Sequence, residues 1–223
     1  VGAFFEQRLF GANTTAQPQT FWASQTADFE NQAPDSPTAA GVWSGTVAAD
    51  DAFNYTLSAD AVQAIRWLSP GEDVLAIGTV SGEWIPSSTG AVLTPADVSV
   101  RSQTTEGSAA IQPLRINNVG LFVQRAKRKV FEFSFSYEID GYRAQDMTRL
   151  AEHVTFGGIV EIDYAKEPNS LVWAVRDDGT LLSMTFRREE DVVGWARHVL
   201  GGAFQGGNAV VESVAVIPGN NGS

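Results

Sequence analysis

The segment Phe131-Glu132-Phe133-Ser134-Phe135-Ser136-Tyr137-Glu138 alternates aromatic and polar side chains without a break. A strict period of two places the four aromatics on one face of an extended strand and Glu and Ser on the other, and it excludes a helix there. The surroundings make it half of a hairpin: Leu121-Phe122-Val123-Gln124, a basic turn, then Val130 to Phe135. A second pair, Leu171 to Val175 and Thr180 to Phe186, flanks Arg176-Asp177-Asp178-Gly179. Asp-Gly between two apolar runs predicts a type I′ turn, which needs positive φ at both central positions. A third pair, Val74 to Ile77 and Glu83 to Ile85, is joined by Thr79-Val80-Ser81-Gly82.

These hairpins begin near residues 74, 121 and 171, at spacings of 47 and 50. A looser fourth pair lies at Arg8-Leu9-Phe10 and Thr20-Phe21-Trp22-Ala23, with a Pro/Ser/Ala/Asp-rich insertion after it from Gln32 to Asp51. Self-similar β units of about 40–50 residues have the length of a propeller blade. The expected fold is all-β with a few short helices: one irregular β-propeller-like domain over residues 1–223, with 32–51 as an inserted loop. A β-sandwich, with turns about every 8–12 residues, is the alternative. One helix is expected from Asp60 to Leu68, capped by Ser58, with Val62, Ile65 and Leu68 on one face and Pro70-Gly71 ending it. A second is expected from Ala144 to Val154, with Met147, Leu150, Ala151 and Val154 inward and Gly157-Gly158 as its stop. Thr94-Pro95-Ala96-Asp97 reads as a single capped turn.

An apolar fraction of 43% is enough for a sizeable core. The chain has no cysteine, which removes a disulfide scaffold, a thiolate zinc site and a thiol nucleophile. No apolar run approaches the ~18 residues of a membrane-spanning helix, so no membrane insertion is expected. The chain starts at Val1 without a basic, then apolar, leader and ends in Gly-Asn-Asn-Gly-Ser, which reads as a processed chain or a portion of a longer one. The net charge of −11 argues against a protein that grips nucleic acid over most of its surface. It is unevenly placed: residues 1–111 carry 12 acids and 3 bases, residues 112–223 carry 14 and 12. Half the bases of the second part fall in Arg125, Lys127, Arg128 and Lys129, and in Arg187 and Arg188.

Motifs for catalysis are sparse. Glu152-His153 lacks the second histidine of a zinc protease motif, and His198 in Trp195-Ala196-Arg197-His198 reads as a packed or capping residue. Gly41-Val42-Trp43-Ser44-Gly45 and Gly78-Thr79-Val80-Ser81-Gly82 have the wrong spacing for a serine nucleophile elbow. There is no phosphate-cradling glycine motif, and Asp177-Asp178-Gly179 lacks the further oxygen ligands of a calcium loop. Glu161 and Asp163 share a strand face about 7 Å apart, between the separations of retaining and inverting glycosidases. With six Trp and four Tyr, a carbohydrate-binding or glycoside-hydrolysing propeller is the alternative function. The same pair also suits the ordinary solvent face of a half-buried strand. No catalytic, cofactor-binding or metal residue is therefore expected. Arg125, Lys127, Arg128 and Lys129 are the candidate partner contact, for phosphates or an acidic protein surface, although basic hairpin tips also keep β edges from pairing.

A series of segments resembles one family. Phe4-Phe5-Glu6-Gln7-Arg8-Leu9-Phe10-Gly11-Ala12 and Pro18-Gln19-Thr20-Phe21-Trp22-Ala23-Ser24-Gln25-Thr26-Ala27-Asp28-Phe29-Glu30-Asn31 are similar to the start of tail nozzle proteins (tail tubular protein B) of short-tailed bacteriophages. Arg101 to Gly107, Leu121 to Ala126, Asp140-Gly141-Tyr142-Arg143 leading to Leu150 to Val154, and Asp191 to His198 resemble the same family in the same order. The resemblance implies a structural virion protein without enzymatic activity or cofactor, assembled in the bacterial cytoplasm. It implies a ring of identical copies, usually six, that continues the DNA exit channel and meets the tail adaptor and the tail fibre or spike proteins. Double-stranded DNA would then pass transiently and without specificity. An acidic chain suits that passage, because each neutralised phosphate adds affinity and slows sliding.

Overall fold

The computed structural model describes residues 1–35, 45–59, 62–90 and 92–217. Contacts divide the chain expected to be a single domain into two compact units, Val1–Ala110 and Ile111–Ser223. The boundary coincides with the charge asymmetry, so the first unit holds the strongly acidic share. The fold is all-β; the described residues build four antiparallel four-stranded sheets, two in each unit.

In the first unit, β1 (Gly2–Phe5), β2 (Arg8–Ala12), β3 (Thr20–Ala23) and β4 (Phe53–Thr56) form one sheet in chain order. The expected pairing of Arg8–Phe10 with Thr20–Ala23 is present, with Phe10 opposite Ala23. The insertion falls between β3 and β4, inside this sheet; its residues 36–44, with the Gly41 to Ser44 part of one rejected elbow, lie outside the described residues. The second sheet runs β5 (Ile65–Pro70), β6 (Leu75–Thr79), β7 (Glu83–Ser87), β8 (Ser99–Thr104). Phe10, Phe21, Ile65, Leu68, Leu75 and Ile77 are fully buried in the common core of these two sheets. Each contributes about 1.5–3 kcal/mol of burial. Phe10, Phe21 and Phe53 pack with ring centroids 6.1–6.4 Å apart.

In the second unit, β9 (Leu114–Ile116), β10 (Val119–Val123), β11 (Val130–Ser136) and β12 (Gly141–Asp146) form a sheet, as do β13 (Ile159–Ala165), β14 (Leu171–Arg176), β15 (Leu181–Arg187) and β16 (Val192–His198). A 3₁₀ turn, Arg188–Glu190, precedes β16, and a small hairpin of β17 (Ala203–Phe204) and β18 (Gly207–Asn208) comes after it. Every four-stranded sheet is thus an up-and-down meander of consecutive strands, the pattern of a propeller blade.

Among the described residues neither expected α-helix forms. Asp60 and Ala61 lie outside the described residues, and Ile65 to Leu68 belong to β5. A bulge at Arg66 shifts the register between Ile65 and Trp67, so Ile65, Trp67 and Leu68 are all buried. That offset imitates helical spacing inside a strand. From Ala144 the chain stays in β12, then makes three tight turns, closed by Ala151 N–H to Thr148 O, Val154 N–H to Ala151 O and Gly158 N–H to Thr155 O. Repeated i→i+3 turns place Met147 and Ala151 inward but leave Leu150 93% exposed. The Thr94–Asp97 turn is present, closed by Asp97 N–H to Thr94 O.

The three sequence-predicted hairpins all form. At Asp177-Asp178-Gly179, however, only Gly179 has positive φ (+76°), and Gly179 N–H bonds to Arg176 O. This is a three-residue loop with a left-handed last residue, not a type I′ turn. On β11 both faces are buried over most of its length: Glu132, Ser134 and Ser136 are as covered as Phe131 and Phe133.

Candidate functional site

The basic turn is held by its backbone. Lys127, at φ +61°, donates its N–H to Gln124 O, and Gln124 donates to Lys129 O. Two bonds fix the turn to the start of β13 and to the chain before it: Ile159 N–H to Lys127 O, and the Thr155 hydroxyl to Arg128 O at 2.7 Å. Arg125, Lys127 and Arg128 are exposed. Lys129 differs, because its ammonium lies 2.8 Å from the Asp146 carboxylate and 3.5 Å from Glu152. The bond to Asp146 raises the Lys129 pKa. Burial acts to raise the Asp146 pKa, but bonds from Lys129 and Thr148 outweigh it and the net shift is downward.

The four bases clustered in sequence are therefore three surface cations and one half-buried, ion-paired lysine. The structure adds Arg149, which together with Arg128, Leu150, Glu152, His153 and Phe156 lines an open recess of about 550 Å³. The Arg128 guanidinium stacks over the Phe156 ring at 4.8 Å. Nothing in the sequence spacing links Arg149 to the turn; the tight turns after β12 bring it there.

The other basic pair is committed to ion pairs. Arg187 faces Glu190 at 3.4 Å, and Arg188 lies 3.0 Å from the buried carboxylate of Glu132.

Glu161 and Asp163 share one face of β13, and both hold the chain's own later segment. Glu161 accepts the Val214 N–H at 2.9 Å and the Ser213 hydroxyl at 3.1 Å; Asp163 accepts the Val216 N–H. Val211 N–H bonds to Gly179 O, and a Cβ at Gly179 would stand 2.5 Å from the Val210 Cβ. The loop glycine thus lets the segment pass close. All four carboxylate oxygens have partners within the chain: Glu161 Oε1 and Oε2 accept from the Ser213 hydroxyl and the Val214 N–H, and Asp163 Oδ2 and Oδ1 accept from the N–H groups of Val216 and Tyr164.

His198 receives or gives a hydrogen bond with the Ser183 hydroxyl at 2.8 Å and packs against Trp173, 5.2 Å between centroids. This is the packed role expected for it. Among the described residues no group of three or more His, Asp and Glu side chains is placed to hold a metal ion, and no helix is long and apolar enough to cross a membrane. A scan against protein-family models finds no family that matches the chain, and a search of curated proteins finds no match.

Proposed function

We propose that this chain is a structural subunit of a short-tailed phage tail, one copy in a homo-oligomeric nozzle ring, usually of six, around the DNA exit channel. The reading rests on the ordered series of family-like segments. The observation that carries it is the succession of four four-stranded meanders along the chain, the blade unit of a propeller-like body. The excess of 12 acids over 3 bases in residues 1–111 supports passage of DNA without retention. On this reading the protein resides in the virion tail, has no catalytic role, and meets the adaptor above and fibre or spike proteins beside it. The exposed cations Arg125, Lys127 and Arg128 are its partner contact.

Electron microscopy of the purified protein tests the proposal. Rings with a central channel are expected; a protein that remains monomeric and hydrolyses a glycan panel would overturn it.

A further inference from the structure

The sheet β9–β12 carries unlike surfaces at its two ends. At the β11–β12 turn an aromatic series runs outward from the core. Phe133 stacks on Tyr142 at 5.0 Å, Tyr142 meets Phe135 at 5.4 Å, and Phe135 meets Tyr137 at 5.1 Å. The series ends in the open: Phe135 is 40%, Tyr137 91% and Ile139 62% exposed. Glu138 and Asp140, on the same turn, are exposed and form no ion pair among the described residues. Arg143, opposite Ser134 on β12, is the base nearest in sequence. At the other end of β11 lies the recess with Arg128 and Arg149 on its rim, Phe156 and Leu150 at 64% and 93% exposure, and Arg125 and Lys127 beside it. Among the described residues lining the recess, the one acid, Glu152, already faces Lys129.

We infer that the Tyr137–Asp140 turn of one copy docks into the Arg128–Phe156 recess of a second copy. Tyr137 and Ile139 would cover Phe156 and Leu150, while Glu138 and Asp140 would meet Arg128 and Arg149. The two surfaces are complementary in both charge and apolar character. Seven residues of β11 separate them by roughly 20 Å, so one copy does not satisfy both from itself. Rigid aromatic anchors beside an arginine rim are the composition of an interface hot spot. Knob and recess differ, so the contact is heterologous and propagates; the inference rests on the ring reading only for closure of that series.

Sedimentation velocity on the full chain at low salt tests it, with two double variants: Tyr137→Ser with Ile139→Ser, and Arg128→Glu with Arg149→Glu. The wild type is expected to associate, and each variant alone to associate roughly 30-fold or more weakly. Mixed, they should form 1:1 dimers and nothing larger, because the first keeps its recess and the second its knob. A charge-exchanged chain, Glu138→Arg with Asp140→Arg, should regain association when mixed with Arg128→Glu/Arg149→Glu. A monomeric wild type, a variant that associates like the wild type, or a mixture without dimers overturns the inference. If Tyr137→Ser/Ile139→Ser loses its fold, the exchanged pair decides; if Arg128→Glu/Arg149→Glu loses it, Glu138→Arg/Asp140→Arg alone decides, since its turn and recess then carry like charges and it should associate weakly. Open chains in place of rings would sink the ring reading and keep this contact. Rings unaffected by both variants would do the reverse.

Discussion

The side-chain carboxylate of Asp163 accepts the backbone N–H of Val216, 53 residues further along the chain. With Glu161 on Val214, it makes β13 a clamp on alternate amides of the later segment, with the Ser213 hydroxyl on Glu161 as its one side-chain bond among the described residues. Charge-assisted bonds of this kind contribute about 1.5–3 kcal/mol each. Glu161→Ala with Asp163→Ala should release residues 211–217 while leaving the four sheets intact. Hydrogen exchange should show amide protection at Val214 and Val216 falling roughly tenfold or more, with the global unfolding temperature nearly unchanged. Unchanged protection there would mean the segment is held by apolar contacts instead.

Arg8 is 2% exposed, and its guanidinium donates to three carbonyls: Ser24, Asp51 at 2.8 Å and Ala49 at 2.7 Å. It also sits 5.4 Å over the Phe53 ring. Burial lowers its pKa, against the opposing fields of Asp50, Glu6 and Asp51. Arg8 thus ties β2 to the end of the insertion and to the start of β4. Arg8→Met keeps most of the volume and leaves three acceptors without their donor, a loss of about 3 kcal/mol. Calorimetry should show an unfolding temperature lower by roughly 10–20 °C for a unit of this size. Arg8→Lys, with one compact donor group, should recover only part of it.

The residues where the sequence was informative are those whose partners are close along the chain. Asp178-Gly179 announces its hairpin, and Phe131 to Tyr137 announces its strand, because turn chemistry and period two are local rules. The helix expected at Asp60–Leu68 failed for an equally local reason: one extra residue at Arg66 turned a period of two into an apparent i, i+3 spacing. Arg8, Glu132 and the Glu161/Asp163 pair were not legible as they stand in the structure. Their partners lie 16 to 56 residues away, and two of the three bond mainly to backbone, which has no residue-specific signature. The basic cluster was legible as charge, but its division between Lys129 and the other three depends on β11–β12 register, which places Asp146 beside Lys129.

Gly78 pairs across the β5–β6 ladder with Trp67, and a Cβ at Gly78 would stand 2.0 Å from the indole Cε2. Trp67 is 2% exposed, so the ring has nowhere to retreat within the core. Gly78→Ala should destabilise the first unit by about 1–3 kcal/mol through overpacking. Trp67→Leu removes the obstructing ring, so the double variant Trp67→Leu/Gly78→Ala should lose less than the two single losses combined. Strict additivity in denaturant unfolding would show that the indole moves aside at little cost.

Glu83 is fully buried on β7 and accepts hydrogen bonds from Thr104 and, at 2.8 Å, from Ser108. Burial raises its pKa, and the two hydroxyl bonds only partly oppose that shift. The folded state therefore binds this proton more tightly than the unfolded chain, where Glu titrates near ~4.3. Its contribution to stability is fully present below the unfolded value and is lost as pH rises through the raised folded one. Asp146 and Asp178, whose pKa values are lowered, change stability in the opposite sense, so the test is a difference between proteins. Glu83→Gln keeps the shape and much of the hydrogen bonding to Thr104 and Ser108 without a titrating proton. Thermal melts from acidic to neutral pH should show the variant gaining on the wild type as pH rises, with the gap levelling off once Glu83 ionises in the fold. A gap that does not change with pH would mean that the buried carboxyl keeps the same protonation in both states.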